Sequence, residues 1–226
     1  MTAIRWSDAV EALDAEYALL DEIVVALDAP ALLSPSGCAG WTNADLIFHT
    51  LLDAQRALVT FNSPAPGPAT TNYVDYWRSF DAGDEGSRAH AEFVRGSVAA
   101  HGDPTRLAWR WHETAPAAVR AARGTQSTGF VTTQGYVLAT ADFTATLVVE
   151  AAVHHLDLIA NLPDRPPPAA AAVAVTIATL DGLLGGPRPP AWDDSTYILK
   201  ATGRAELTRE ERASLDDAAV RLPVFS

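Results

Sequence analysis

The sequence predicts a mainly α protein, a four-helix bundle followed by a small C-terminal α/β segment. Apolar residues recur every three or four positions in several long segments, which is the period of an amphipathic helix. Long connections rich in Pro, Gly and Ser separate these segments. A short stretch near the C-terminus alternates polar and apolar residues, as strands do. Helices of such length pack most simply as a bundle.

The first two helices carry the clearest signals. Residues 6–27 have one apolar stripe, made of Trp6, Val10, Leu13, Tyr17, Leu20, Val24 and Leu27. After a loop at 31–40, a second helix begins at Thr42, where Asp45 stands three residues on as in a capping box, and it runs through residue 61. We therefore expect both segments to contribute to one core.

The remaining elements are predicted from the same periodicities and from turn residues. Further helices are expected at 73–100, 103–122, 143–161 and 169–184, a loop at 124–135, a strand at 196–204, and a short helix after a capping box formed by Thr208 and Glu211. The Pro-rich segment LPDRPPP separates a bundle domain, 1–163, from a smaller unit, 164–226. The loops at 64–73 and 124–135 are candidates for a lid or a partner surface.

Composition narrows the class of function. The chain has 28 acidic and 16 basic residues, a net charge of −12, which disfavours nucleic acid and anionic membranes as partners. No apolar stretch is long enough to span a membrane, and the first residues carry acids where a signal peptide would be basic and apolar. One cysteine excludes an internal disulfide. We expect a cytoplasmic monomer or homodimer that acts on a small molecule.

Charged residues set into apolar helices mark a candidate metal site. Glu150 and His154 are four residues apart in VVEAAVHHLDL, so a helix places them on one face, with His155 turned away. His49 lies in the equally apolar LIFHTLL and is the best third ligand. Two imidazoles and a carboxylate suit zinc and are compatible with nickel, iron or manganese. Asp45 and Asp157 are candidates to orient the two imidazoles.

Other interpretations stay open at this point. A buried His is often a core residue bonded to a carbonyl, and a Glu and a His one turn apart often form a surface ion pair. Cys38 is a possible nucleophile, but a small buried residue is the simpler interpretation. His90 and His101 lie in polar surroundings and are expected to be solvated, whereas His112 is expected to have a packing or helix-end role. The acids at 81–85 and 193–194 are expected to be solvated.

Three blocks resemble the mycothiol-dependent maleylpyruvate isomerase family, whose members are DinB-like metal-binding four-helix bundles. These blocks are CAGWTNADLIFHT, ATADFTATLVVEAAVHHLDLIANL and the tail YILKATGRAELTREERASL with RLPVFS. The resemblance implies that His49, Glu150 and His154 are the metal ligands. It also implies mycothiol as thiol cofactor or cosubstrate. Mycothiol is an actinobacterial thiol, which agrees with a composition typical of a GC-rich genome.

The implied chemistry is attack by a metal-activated thiolate on a small electrophile, ending in isomerisation or in S-transfer. A dicarboxylate substrate would need an arginine near the metal, and Arg204, Arg106 and Arg110 are candidates, although a surface position is the simpler interpretation of each. The segment after LPDRPPP is short for the second domain of the isomerases, which favours the wider description, isomerase or transferase, over isomerase alone. Two alternatives remain: a metal-dependent hydrolase without a thiol, and a non-catalytic bundle that binds a ligand or metal.

Overall fold

The structure, a computed structural model, describes residues 3–79, 85–186, 188–189 and 191–225, and most of these are helical. Its α-helices are α1 (Trp6–Val25), α2 (Ala29–Leu33), α3 (Asn43–Phe61), α4 (Glu85–His101), α5 (Thr105–Arg123), α6 (Thr140–Ile159), α7 (Ala170–Leu184), α8 (Asp194–Ala201) and α9 (Arg209–Leu215). Two 3-10 helices cover Asp75–Ser79 and Asp216–Arg221. Among the described residues, no helix is long and apolar enough to cross a membrane.

Four of the long helices form the predicted bundle. Helix α1 packs against α5 and α6, and α3 packs against the same two helices, so each helix of the four touches two neighbours around a shared core. Helix α7 covers α1 and α6 from outside, and α4 lies on α3. The buried stripe of α1 includes Val10, Leu13, Tyr17, Leu20 and Val24, as its spacing predicts. The mainly α bundle is confirmed.

The only strands in the described part of the chain form a small antiparallel sheet that interrupts the predicted loop at 124–135. They are β1 (Pro64–Ala65), β2 (Phe130–Thr133) and β3 (Tyr136–Ala139). Gln134 and Gly135 make the turn between β2 and β3, and both have positive φ, 46° and 83°. That is the backbone a two-residue hairpin requires. The loop prediction was wrong here because the four residues FVTT before the turn favour a strand.

The predicted C-terminal strand was wrong as well. Residues 194–201 form α8, which begins where the Asp193 side chain accepts a hydrogen bond from the Thr196 N–H at 2.7 Å. Tyr197, Ile198 and Ala201 are buried on one face, a spacing of three to four that outweighs the apparent alternation. The regular elements described after α7 are therefore all helical, namely α8, α9 and the 3-10 helix at Asp216–Arg221, and the predicted β structure lies in the hairpin instead.

The helix predicted at 73–100 is divided. A 3-10 helix begins at Asp75, where the Asn72 side chain accepts hydrogen bonds from the backbone N–H groups of residues 74 and 75. Helix α4 starts at Glu85, and residues 81–84 of the acidic run lie outside the described residues. By contrast, both predicted capping boxes are confirmed: Thr42 with Asp45, and Thr208 with Glu211.

A fully buried ion pair joins the bundle to the connection before α7. Glu16 of α1 and His155 of α6 are 0% exposed, and Glu16 Oε1 lies 2.6 Å from His155 Nδ1. His155 Nε2 lies 3.0 Å from the carbonyl oxygen of Pro166, and Glu16 Oε2 accepts the Ala169 N–H at 2.7 Å. Both ring nitrogens thus face acceptors, and each carboxylate oxygen of Glu16 has a partner. This pair fixes α6 relative to α1 and to the connection.

We predict that Glu16→Gln lowers the free energy of unfolding by about 3–5 kcal/mol, because a buried His155 then loses its carboxylate. Urea denaturation followed by far-UV circular dichroism measures this. The matched control is Asp14→Asn on the same helix, where the partner is the exposed Arg123 and the pair contributes under about 1 kcal/mol. Equal effects of the two substitutions would contradict the role given to Glu16.

Candidate metal centre

A cavity of about 590 Å³ opens between α3, α4 and α6 and the C-terminal segment. It is lined by His49, Glu150 and His154, which sequence spacing singled out, and by Cys38, Asp53, His90 and Arg204 among other residues. Arg106 and Arg110 of α5 line a different depression together with Trp109. Of the three arginines considered from sequence, Arg204 alone lines this cavity.

The atoms of three side chains converge in this cavity. His49 Nε2 lies 2.9 Å from Glu150 Oε1, and His154 Nε2 lies 3.4 Å from the same oxygen. Helix α3 supplies the first histidine, and one turn of α6 supplies the other two residues. The three side chains are between 11% and 21% exposed, and their donor atoms lie within 4.8 Å of one another. Such separations match the ligand-to-ligand spacing of a small divalent cation.

The far nitrogen of each imidazole has a partner that directs the near nitrogen into the cavity. His154 Nδ1 lies 2.9 Å from Asp157 Oδ2, and His49 Nδ1 lies 3.0 Å from His90 Nε2. If both Nδ1 atoms donate, both Nε2 lone pairs point at the Glu150 carboxylate. Lone pairs facing a carboxylate need a cation between them, either a proton or a metal ion. The donor set therefore fits a divalent metal.

Electrostatics within the cluster agree with a cation-binding role. Burial alone would raise the pKa of Glu150, but hydrogen bonds with His154 and His49 outweigh it and hold the pKa well below its usual range. Burial alone would lower the pKa of His154, but contacts with Asp157, Cys38 and Glu150 raise it well above the usual value. The cluster thus stabilises positive charge at the Nε2 position, where a metal ion competes with a proton.

Asp157 lies behind His154, as the sequence suggested, and it holds more groups than expected. It is 2% exposed and accepts hydrogen bonds from Arg204 Nε and Nη2, each at 2.8 Å, besides the His154 contact. The Cys38 thiol donates to it at 3.2 Å. Although burial alone would raise the pKa of Asp157, His154 and Arg204 lower it. The carboxylate is therefore an anion that connects α6 to two other segments.

A close backbone approach brings the segment with Cys38 to this position. The Gly37 N–H donates to the Asp157 carbonyl oxygen at 2.7 Å, and a Cβ on residue 37 would lie 2.8 Å from Asp157 Cα. Only glycine permits that contact. Cys38, expected to be a small buried residue or a nucleophile, is partly exposed and lines the cavity, with Sγ 3.8 Å from His154 Nδ1.

Asp45 has a different place from the one expected. Its Oδ2 accepts from the Thr42 N–H at 2.8 Å and from the Thr42 hydroxyl at 2.7 Å, so its carboxylate caps α3. The acceptor behind His49 is His90, which the sequence placed in solvent. Burial and the neighbouring His49 and Arg56 lower the pKa of His90, which favours a neutral ring able to accept the His49 Nδ1–H. Sequence spacing could not predict this role, because His90 is 41 residues from His49 along the chain.

Asp53 is a second residue that sequence reasoning missed, although it stands one turn after His49. It is 9% exposed, and its Oδ2 lies 3.7 Å from His49 Nε2 and makes no hydrogen bond with any described residue. Burial raises its pKa to about 6. The i, i+4 spacing of His49 and Asp53 repeats that of Glu150 and His154, and this was the available signal.

The other histidines lie outside the cavity, and two of them, His101 and His112, contact acceptors there. His101 Nδ1 lies 2.8 Å from the Ser97 carbonyl oxygen one turn earlier in α4, and His112 Nδ1 lies 2.8 Å from Asp21 Oδ2. His155 faces α1, as its position on the helix predicts. These residues therefore supply no donor to the cavity, although His101 was expected to be solvated and is partly buried.

Comparisons with known proteins show which family and fold the chain resembles. The family model described as the mycothiol maleylpyruvate isomerase N-terminal domain matches residues 13–159, a range that contains His49, Glu150 and His154. A search of curated proteins finds no significant match. Two crystal structures have a similar fold, at 16% sequence identity. Each alignment covers 81% of this chain and 72% of the other chain. They are mycothiol-dependent maleylpyruvate isomerase, with a TM-score of 0.53, and a histidine-to-alanine mutant of it, with 0.54.

At 16% identity, the similarity to these two structures shows a shared fold. The family model shows the family of the chain. It covers well over half of the chain, including the four helices that surround the core from the middle of α1 to the end of α6. The chain belongs to the mycothiol maleylpyruvate isomerase N-terminal domain family.

Proposed function

We propose that this protein is a divalent-metal-dependent enzyme that uses mycothiol as its thiol cofactor or cosubstrate and directs the thiolate at a small electrophile. One observation carries the proposal: the Nε2 atoms of His49 and His154 converge on Glu150 Oε1 while both Nδ1 atoms have partners of their own. Family membership supports mycothiol as the thiol. The product class, isomer or thioether, follows from the electrophile that enters the cavity.

His49, Glu150 and His154 would hold the metal, and zinc suits this ligand set best. Three protein ligands leave a coordination position for a substrate atom, which is the pattern of catalytic sites. A divalent metal held by these residues would lower the pKa of a bound thiol, so that the thiolate would be available at neutral pH. Two neutral imidazoles and one carboxylate would leave such a site with net positive charge, which would favour an anionic sulfur.

The protein's own residues orient and shield this chemistry. Asp157 holds His154 in one ring orientation, Arg204 holds Asp157, and His90 holds His49. Aromatic side chains line the cavity around the cluster, namely Trp41, Tyr76, Trp77 and Phe143. They lower the local dielectric constant and exclude water, which strengthens the electrostatic contacts and protects a reactive electrophile from hydrolysis.

We predict that metal binding depends on the three converging residues. Elemental analysis of protein purified without chelators or a metal affinity column should find about one zinc or similar ion per chain. His49→Ala and Glu150→Ala should each lose it, because two ligands hold such an ion poorly. His112→Ala, which changes a partly exposed histidine on α5, is the control and should keep it. Full metal content in Glu150→Ala would rule out the assignment.

A second prediction concerns His90. His90→Ala should weaken zinc affinity about tenfold, because His49 loses the partner that orients its ring. Competition with a fluorescent zinc chelator measures the affinity without reference to activity. His101→Ala on the same helix removes a histidine that bonds to its own helix, and it should leave the affinity unchanged. Equal affinities in all three proteins would show that His90 has no such role.

Turnover decides between the proposal and its alternatives. The metal-loaded protein should consume a small electrophile only when mycothiol is added, with rates lost in Glu150→Ala. A rate that is the same without the thiol would indicate a hydrolase. Binding of metal and mycothiol with no turnover of any electrophile would indicate a non-catalytic protein. Mass spectrometry of the product separates an isomer, which keeps its mass, from a thioether.

A further inference from the structure

The last described residues of the chain form one wall of the cavity. After the 3-10 helix at Asp216–Arg221, the backbone returns to α8, where the Val224 N–H donates to the Ala201 carbonyl oxygen at 2.8 Å. Phe225 is then 9% exposed and stacks on Trp77, with ring centroids 4.8 Å apart and planes inclined by 17°. Both rings line the cavity that contains His49, Glu150 and His154. The wall is thus held in place by a backbone bond and by ring stacking.

This end of the cavity is apolar, and it belongs to a continuous second core. Phe225 and Trp77 pack in the same cluster as Val153 and Leu156 of α6 and Leu222, so the wall has solid support behind it. Tyr76 and Phe143 add aromatic surface on either side. Removing the Phe225 ring would enlarge the cavity, because a supported core relaxes only partly into the vacated volume.

Two arginines, Arg204 and Arg56, line the cavity, and both contact acidic residues. All three nitrogens of the Arg204 guanidinium have acceptors: Nε and Nη2 bond to Asp157, and Nη1 donates to the Thr202 carbonyl oxygen at 3.0 Å. Arg56 Nη1 lies 3.4 Å from Asp53 Oδ1. To bind Arg204, a substrate carboxylate would have to displace Asp157, which leaves a buried anion without its partner and is costly. An apolar substrate needs no such exchange.

We propose that the electrophile is an uncharged aromatic compound that packs against Trp77 and Phe225, and that Phe225 limits its size. The reaction of this compound rests on the proposed function, whereas its binding against Trp77 and Phe225 does not. An aryl chloride illustrates the chemistry. The thiol sulfur forms a bond to the ring carbon, chloride leaves with the bonding electron pair, and the thiol proton goes to solvent. Ring stacking supplies affinity beyond the area that is buried.

The test compares two aryl chlorides of different size in the zinc-loaded protein with mycothiol. 1-Chloro-2,4-dinitrobenzene has one ring, and 4-chloro-7-nitrobenzofurazan has two fused rings. Phe225→Ala should raise the ratio of kcat/KM for the larger over the smaller about tenfold, as expected when a cavity wall recedes. Phe225→Trp should lower the ratio, since it adds volume while keeping the stack. Val220→Ala, at an 87% exposed position of the same segment, should leave it unchanged.

Two further measurements keep this inference separate from the proposed function. Zinc content should be equal in all variants, because Phe225 supplies no donor atom to the proposed metal. Binding of unreactive 2,4-dinitroaniline, followed by quenching of tryptophan fluorescence, should weaken in Phe225→Ala and should resist competition by succinate. If no thioether forms but this binding pattern is observed, the proposed thiol transfer is wrong, whereas the proposed binding of an aromatic compound against Phe225 is supported. If thioethers form with the same size ratio in both Phe225 variants, or if succinate displaces the probe, the inference is wrong and the proposed function survives.

Discussion

The Asp157 carboxylate is the contact on which the cavity depends. It lies in the last turns of α6, nearly inaccessible to solvent, and it accepts hydrogen bonds from His154, Arg204 and the Cys38 thiol. Through these partners it joins the bundle, the loop before α3 and the turn after α8. A buried anion with several donors is stable only while all of them remain in place. The three segments must therefore dock together for any one of them to be ordered at the cavity.

The bundle explains why a cation site can form in an apolar interior. Two facing helices each present polar groups one turn apart, His49 with Asp53 on α3 and Glu150 with His154 on α6. The remaining faces of these helices pack into hydrophobic core, so the four groups depend largely on one another for partners. The proposed cation would compensate them further, which concentrates the proposed chemistry at one point of the structure.

The part of this structure that follows from local spacing could be predicted. The amphipathic stripe of α1, both capping boxes and the convergence of Glu150 with His154 depend on residues within one or two helical turns. The role of His90 could not, because it depends on how α4 lies across α3. Likewise, Arg204 reaches Asp157 from 47 residues away. Sequence alone shows an arginine in a Thr-Gly-Arg turn, which is typical of a surface position.

Two of the departures from the predicted secondary structure concern which regular element forms. In residues 196–204, the side-chain pattern fits a strand and a helix almost equally, and burial of Tyr197 and Ile198 against the second core favours the helix. In residues 130–139, FVTT itself favours a strand, and pairing of Phe130 and Val131 with Ala65 and Pro64 adds to that preference. In both places tertiary packing acts on a conformation that the local sequence already permits.

The buried pair of Glu16 and His155 has a consequence for the proposed metal site. Because His155 is anchored between α1 and the Pro166 carbonyl oxygen, α6 cannot turn about its axis without separating a desolvated pair. Its neighbour His154 keeps its direction for the same reason. The orientation of the ligands is thus established by the fold before any ion arrives. If the proposed metal is bound, its loss would leave an intact, correctly shaped site, so that metal supply would control occupancy while the protein itself persists.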